Sequence, residues 1–494
     1  MDDILNEQEI IRREKLKFFL DKGLDPFGQK FERTHTSQDI KNQFDDKDKE
    51  SLEKITPKVI IAGRIMMKRD MGKAGFVTLQ DKFGLIQAYI RADHVSETEF
   101  EIFKLADIGD IIGISGVMFR TKTNELTVKA DKYTHLTKAL RPLPEKFHGL
   151  QDVEEARRRR YVDLIMNEKA KDIAIKRTKI IRAIQRFFDS LGFIEVETPV
   201  LHPVLGGAAA RPFVTHHNTL EMDFYLRIAT ELPLKRLLVG GLEAVYEIGR
   251  LFRNEGISYK HNPEFTTIEA YLAYSDMEGM MDLVEGCLST VCTEILGTTE
   301  INFQGTSLSL KRGFRRVHMV DSIKELTNID FYVINDFKKA AKLAKEHHIE
   351  VPKHFTGIGH IINAFFEKYV EHTLIQPTFV YGHPVEISPL AKKSTDARFT
   401  QRFELFINKS EYANAFTELN DPIDQKERFL EQLKEKDLGN NEANEMDIDF
   451  VEALEYGMPP AGGVGIGIDR LIMLLTDTAN IRDVILFPHM KNRQ

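Results

Sequence analysis

Between positions 250 and 270 the chain reads RLFRNEGISYKHNPEFTTIEA, which sets arginine, acid, histidine and phenylalanine close together between two apolar, strand-like runs. Arg253 offers a planar fork that can grip phosphate oxygens in pairs. Glu255 could accept from the edge of a base, and Phe265 has a flat face on which a base could stack. The plainer alternative is a charged hairpin loop between two core strands.

A second group lies far downstream in ARFTQRFELFINKSEYANAFTELND. There Glu404, Glu411 and Glu418 recur seven residues apart. On a helix that spacing stacks all three on one face; on strands joined by a tight turn they could still converge at one end of a sheet. The alternation of Phe403, Leu405 and Ile407, followed by Tyr412, Ala415 and Phe416, favours strands. Carboxylate oxygens suit a hard cation such as Mg²⁺, which takes one or two of them together with substrate phosphates. Evenly spaced acids also make an ordinary solvated face. The third group, GMPPAGGVGIGIDRLIMLL, has Gly462, Gly463, Gly465 and Gly467 in an apolar run before Asp469 and Arg470. It has neither a Gly-Lys-Ser/Thr phosphate loop nor GxGxxG spacing. Glycines clustered in a strand suggest the close approach of a ligand or another backbone, with Arg470 pointing over it. A glycine-packed sheet with a surface Arg–Asp pair is the alternative.

Together these groups resemble the signature motifs of class II aminoacyl-tRNA synthetases, over nearly the whole chain. Motif 1 is seen in LGFIEVETPVL, with Pro199 ending a strand, motif 2 in FRNEG…HNPEFT and motif 3 in GVGIGIDR. Within that class, AGRIMMKRDMGKAGFVTLQD, TKALRPLPEKFHGLQDVE, GGAAARPFVTHHN and IRDVILFP resemble the bacterial-type lysine enzymes. The resemblance implies lysine activation by ATP, then transfer to the 3′ end of the lysine tRNA. Arg253 would bridge the α-phosphate and the substrate carboxylate. Glu255 would accept from the adenine amino group, Phe265 would stack on the ring, and Arg470 would cover its other face and reach the γ-phosphate. His261 would touch the pyrophosphate end, Glu404 and Glu411 would hold Mg²⁺ (about three ions at most per active site), and Asn414 would place the amino-acid carboxylate. Gly207 and Glu231 match positions that hold the α-amino group. Glu418 and Tyr271 match those that receive the ε-ammonium, with Glu269 in the same pocket. Phe76 and Gln87 match anticodon-binding residues, with Arg64 and Glu125 as further candidates. Lys260 stands where many relatives have arginine, keeping the charge but losing the fork. Motif 1 implies a homodimer.

The chemistry itself explains which residue types are missing. A carboxylate attacking phosphorus is already ionised at neutral pH and needs no general base. Positioning and charge neutralisation then suffice, and no Ser–His or Cys–His pair is expected.

Positioning such a site takes a large fold, and 494 residues leave room for two or three domains. The expectation is α+β. Residues 1–55 read as an N-terminal helix and a polar, mobile connection with a short helix. Residues 56–140 carry five short alternating strands, expected to close as an OB-fold barrel, a scaffold that binds single-stranded nucleic acid by stacking. Residues 141–160 read as a proline-marked linker. Residues 161–494 form the expected catalytic domain, an antiparallel sheet flanked by helices, with a helical insertion near 320–375.

The net charge of −8 excludes binding RNA by bulk attraction and calls for local basic patches. Lys68, Arg69 and Lys73 are candidates for such a patch, whereas the Arg157–Arg160 run reads as a helix surface or domain junction. No run approaches the length of a membrane span, and the acidic start MDDILNEQEI is no signal peptide, so a cytoplasmic protein is expected. Cys287 and Cys292 are the only cysteines. Their spacing fits neither a metal site nor a disulfide framework, so they read as buried bystanders.

Overall fold

A computed structural model describes residues 5–144, 152–208, 210–440 and 445–492. The chain divides into two compact units, Met1–Gly149 and Leu150–Gln494. Within the proline-marked linker, residues 145–151 lie outside the described residues, and its last part is helical. Among the described residues no helix is long and apolar enough to cross a membrane.

The first unit begins with α1 (Glu7–Asp21), started by a capping box between Asn6 and Glu9. The polar stretch that follows carries two helices rather than one, α2 (Ser37–Phe44) and α3 (Lys49–Ile55). Thr36 and Asp48 cap them, and Ile40, Phe44 and Leu52 bury against the barrel core. Few apolar anchors are enough when each faces inward. The barrel strands are β1 (Lys58–Asp70), β2 (Ala74–Gln80), β3 (Leu85–Arg91), β4 (Ile111–Arg120) and β5 (Leu126–Thr137), with α4 (Glu97–Leu105) between β3 and β4. They close in the order β1-β2-β3-β5-β4, the OB-fold barrel expected.

The second unit opens with α5 (Val153–Arg158), α6 (Arg160–Met166) and the long α7 (Glu168–Ser190). Next come the short strands β6 (Ile194–Glu195), β7 (Leu201–His202), β8 (Val214–His217) and β9 (Met222–Leu226), then α8 (Glu231–Val239) and the hairpin β10 (Ala244–Phe252) and β11 (Glu264–Ala273). The chain continues through α9 (Met277–Leu296), β12 (Glu300–Phe303), β13 (Thr306–Ser309) and β14 (Arg315–His318). Three helices follow, α10 (Met319–Thr327), α11 (Phe337–Glu346) and α12 (Ile358–Tyr369), and they build a core of their own around Phe331, Phe365 and Phe366. The last elements are β15 (Thr378–Tyr381), β16 (Arg402–Ile407), β17 (Ser410–Thr417), α13 (Pro422–Asp437), α14 (Ile448–Glu455), β18 (Ala461–Gly467), α15 (Ile468–Leu475) and α16 (Ile481–Val484).

Eight strands form one sheet in the order β14-β15-β16-β17-β18-β11-β10-β6. The inner pairings are antiparallel, while β14 with β15 and β6 with β10 are parallel. The main core packs α7, α9 and α15 on one face of this sheet. The motif 1 strand is shorter than the sequence suggests. It ends at Glu195 rather than running to Pro199, because Thr198 turns its amide and hydroxyl to the Glu247 carboxylate. Cys287 and Cys292 are free and buried in α9, and burial pushes their thiols up to about 12 and about 11. The Arg157–Arg160 run ties helices together: Arg157 forks onto Asp483, and Arg160 pairs with Asp163 and donates to the carbonyls of Arg482 and Leu486.

Candidate active site

Alternation along β11 puts Phe265, Thr267, Glu269 and Tyr271 on one face of the sheet. Residues directly opposite across strands share that face. One row therefore runs Glu269, Gly465, Asn414, Glu404, and the next runs Tyr271, Gly463, Phe416, Arg402. These rows floor a cavity of about 800 Å³, which Gly207, Glu231, Arg253, Glu255, His261, Glu411 and Arg470 also line.

The two-residue turn at Asn408 and Lys409 pairs Ile407 with Ser410 and Phe406 with Glu411, so Glu411 shares the face of Phe406 and Glu404. Between Phe406 and Leu405 the register slips and Tyr412 is passed over, so that Glu404 faces Asn414 rather than Ala413. The bulge brings Asn414 round to the side of Glu404 and Glu411. The Glu411 side chain is 41% exposed, and that exposure is toward the cavity. Enclosure by protein, then the neighbouring Glu404, raises its carboxyl above the usual range, while Arg470, Arg253 and Arg402 hold it back. Two carboxylates projecting together are hard oxygen donors of the kind Mg²⁺ takes alongside phosphate. Among the described residues no cluster of three or more acids, histidines or cysteines could hold a metal unaided. The donor set therefore fits an ion that arrives with a nucleotide.

Arg253 follows directly on β10, and its guanidinium lies over the Phe265 ring at 5.3 Å. Its Nε is buried without a hydrogen-bond partner among the described residues. Arg470, in the first turn of α15, donates to the Glu411 carbonyl at 2.5 Å and lies 3.3 Å from that carboxylate. The adjoining Asp469 is buried and accepts from Arg177 at 2.5 Å and from the Thr266 amide at 2.7 Å, so no Arg–Asp surface pair exists here. His261 accepts from Ser258 or donates to it through Nδ1 at 2.9 Å, and its Nε2 lies 3.4 Å from Arg470. Burial, then Arg470, lowers its pKa, so the ring is neutral at neutral pH. Glu255 is exposed at the cavity mouth, and Lys260 donates to the Lys409 carbonyl of the β16–β17 turn.

At the other end, Glu231 opens α8 and is buried, as are Glu269 and Tyr271. Glu269 accepts from the Thr230 amide and the Tyr271 hydroxyl, each at 3.2 Å. Burial, then Glu231, pushes its carboxyl up to about 7. Gly207 has φ +91°, and a Cβ there would press on Ala229, so the backbone approaches Glu231 as only glycine readily allows. Glu418 shares the face of Asn414 and Phe416 but does not line the cavity. It is fully buried behind Gly463 and Tyr271, ion-paired with Lys235. Gly463 has to be glycine, since a Cβ would strike Glu418 and the Tyr271 ring.

Two residues went unmarked in the sequence. Lys235 is one. Arg402 is the other, donating to Asn414 at 3.0 Å, to Glu404 at 2.6 Å and to the Ile387 carbonyl at 2.7 Å. Its position two residues before Glu404, on the same strand face, was the available signal.

On the barrel, Phe76 and Gln87 face outward rather than into the core. Phe76 packs against Tyr89 at 4.8 Å, and Tyr89 lies 6.2 Å from Phe119. This aromatic row is longer than the sequence indicated. Gln87 accepts from Thr127, Arg64 donates to the Gly109 carbonyl at 2.7 Å, and Glu125 is exposed in the β4–β5 turn. Lys68 belongs to no basic patch. It donates to the carbonyls of Phe103, Lys104 and Ala106 at the end of α4, and burial lowers it to about 8. Arg69 is exposed opposite Phe76.

Comparison with known proteins agrees with both halves of this description. Residues 59–136 match the OB-fold nucleic acid binding domain, and residues 152–491 match the family of tRNA synthetases class II (D, K and N). The chain is 61% identical to a lysine–tRNA ligase of Lysinibacillus sphaericus over 99% of its own length and 98% of the relative's. Identity is 60% to that of Streptococcus sanguinis and 58% to that of Listeria monocytogenes, at the same coverage. The chain belongs to the class II tRNA synthetases.

Proposed function

We propose that this chain is a lysine–tRNA ligase whose cavity joins an ATP end to an amino-acid end. The observation that carries the reading is this meeting of unlike surfaces. Arg253, Phe265, Arg470 and the Glu404–Glu411 pair suit a nucleotide triphosphate, while Glu231 and Glu269 on the wall, with Glu418 buried just behind Gly463 and Tyr271, suit two ammonium groups. The family also covers aspartate and asparagine enzymes, but an aspartate side chain beside three glutamates would be repelled.

In the first step the lysine carboxylate oxygen bonds to the α-phosphorus of ATP while the bond to the pyrophosphate oxygen breaks. Arg253 holds the attacking carboxylate and the α-phosphate together. Arg470 receives the departing charge, with the neutral His261 beside it at the pyrophosphate end, and Phe265 fixes the adenine. Asn414, steadied by Arg402, orients the carboxylate. Glu404 and Glu411 would hold Mg²⁺, at most about three ions per site, and the ion's chemistry is to offset charge on the phosphate oxygens. In the second step a terminal ribose hydroxyl of the tRNA attacks the activated carbonyl and AMP leaves. Phe76 and Gln87, with Arg64 and Glu125 alongside, would read the anticodon.

Motif 1 exposes Ile194, Val200 and Leu201, and the stretch that follows it exposes Val214 and Leu220. Apolar side chains gathered on one segment suit the homodimer interface of this reading, and sedimentation should give twice the chain mass. A cytoplasmic site of action goes with it. Charging of a lysine tRNA transcript tests the proposal: lysine should be attached in the presence of ATP and Mg²⁺, and attachment of aspartate or asparagine instead would overturn it.

A further inference from the structure

Lys235 is fully buried one helical turn after Glu231, so that α8 directs both side chains to the same side. Its ammonium lies 2.5 Å from Glu231 Oε1 and also pairs with Glu418 Oε2. The rings of Phe416 and Phe450 lie 5.3 and 5.9 Å away. Burial lowers the affinity of Lys235 for its proton, but the two carboxylates outweigh that and keep it charged. Stability alone does not account for a cation here, because an apolar side chain of similar volume usually replaces a buried ion pair at little or no cost.

Charge accounting suggests another reason. Three buried carboxylates, those of Glu231, Glu269 and Glu418, gather at this end of the cavity. A lysine substrate brings only two ammonium groups, and its carboxylate belongs at the Arg253 end. Lys235 supplies the third cation. It also uses one oxygen of each acid it touches. Lys235 meets Glu418 at Oε2, as an ion pair; Oε1 has neither an ion-pair nor a hydrogen-bond partner among the described residues, and it lies against Gly463 and Tyr271, which line the cavity.

We propose that Lys235 is the positioning residue of the amino-acid pocket: by holding one oxygen of Glu231 and one of Glu418, it turns the free oxygen of Glu418 toward the terminal ammonium of a bound diamino acid. This rests on the lysine reading of the cavity. The charged and titratable groups around it are Glu231 on α8, Glu269 and Tyr271 on β11, Glu418 after β17 and Arg402 on β16. The neighbouring Arg236 is turned away, onto Asp447 and Asp449 at the start of α14.

Lys235→Met and Lys235→Ala, measured by lysine-dependent ATP–pyrophosphate exchange, test it. The KM for lysine should rise about 10- to 100-fold while kcat and the KM for ATP stay within about threefold of wild type. Without the cation Glu231 and Glu418 keep their protons to higher pH, so the acid limb of kcat/KM for lysine should move upward. Ethylammonium chloride should restore part of the lysine affinity to Lys235→Ala and not stimulate the wild type. Should the alanine variant fail to fold, the methionine variant, with its unbranched chain, carries the KM and pH tests alone. A uniform loss of activity with an unchanged KM for lysine and an unmoved acid limb would make Lys235 merely structural and overturn the proposal. Absence of lysine-stimulated exchange in the wild type would overturn the lysine reading itself, and this inference with it.

Discussion

Glu269 and Glu418 are buried carboxyls, and their chemistry follows from that. Glu269 is pushed up to about 7 by burial and by Glu231, and Glu418 is raised well above the carboxylate range by burial despite Lys235. An arriving ammonium favours the ionised carboxylate, so binding below the free-state pKa must first expel a proton. The kcat/KM for lysine should therefore fall as pH drops below about 7, with the value for ATP changing less; a flat lysine profile between pH 6 and 8 would contradict this. Glu418→Gln removes a charge-assisted hydrogen bond worth about 1.5–3 kcal/mol, or about 10- to 100-fold. Steady-state kinetics should show that loss in the KM for lysine, with the KM for ATP nearly unchanged. Lys235 escaped notice in the sequence because a lysine at a helical i+4 position from a glutamate normally marks a solvated face. Only burial on the folded chain reveals it.

At the scale of elements, the strands and helices that carry the site were legible because their patterns are strong. The alternation on either side of motif 2, the five short barrel strands and the glycine run ahead of Asp469 each gave the right kind of element. The β16–β17 bulge was not legible, since an extra residue in one strand leaves no mark on composition, yet it decides that Asn414 rather than Ala413 joins Glu404 and Glu411. The helices at 37–44 and 49–55 were hidden by polar composition, with caps and three inward side chains doing the work of a longer apolar stripe. Asp469 shows how an element is fixed: its carboxylate locks the start of α15 to Arg177 and to the Thr266 amide. Asp469→Asn leaves Arg177 without its buried counter-ion, which costs about 3–5 kcal/mol. Urea unfolding should show that loss, and the KM for ATP should rise because Arg470 is carried by the same turn.

For the whole molecule, the division into barrel and catalytic unit predicts separable defects. Phe76→Ala takes away a stacking platform worth about 1–3 kcal/mol per base. It should lower kcat/KM for tRNA charging about 5- to 100-fold and leave ATP–pyrophosphate exchange intact; equal loss of both would mean a folding defect instead. An acidic chain with a net charge of −8 has to recognise its tRNA locally, and the outward row of Phe76, Tyr89 and Phe119 with exposed Arg69 opposite is suited to that. The central claim, that one cavity pairs a nucleotide end with a three-glutamate end selecting lysine, is tested most directly by ATP–pyrophosphate exchange with each of the twenty amino acids in turn, at saturating Mg²⁺ and without tRNA. Stimulation by lysine alone is the predicted result; stimulation by aspartate or asparagine would contradict the role given to Glu231, Glu269 and Glu418.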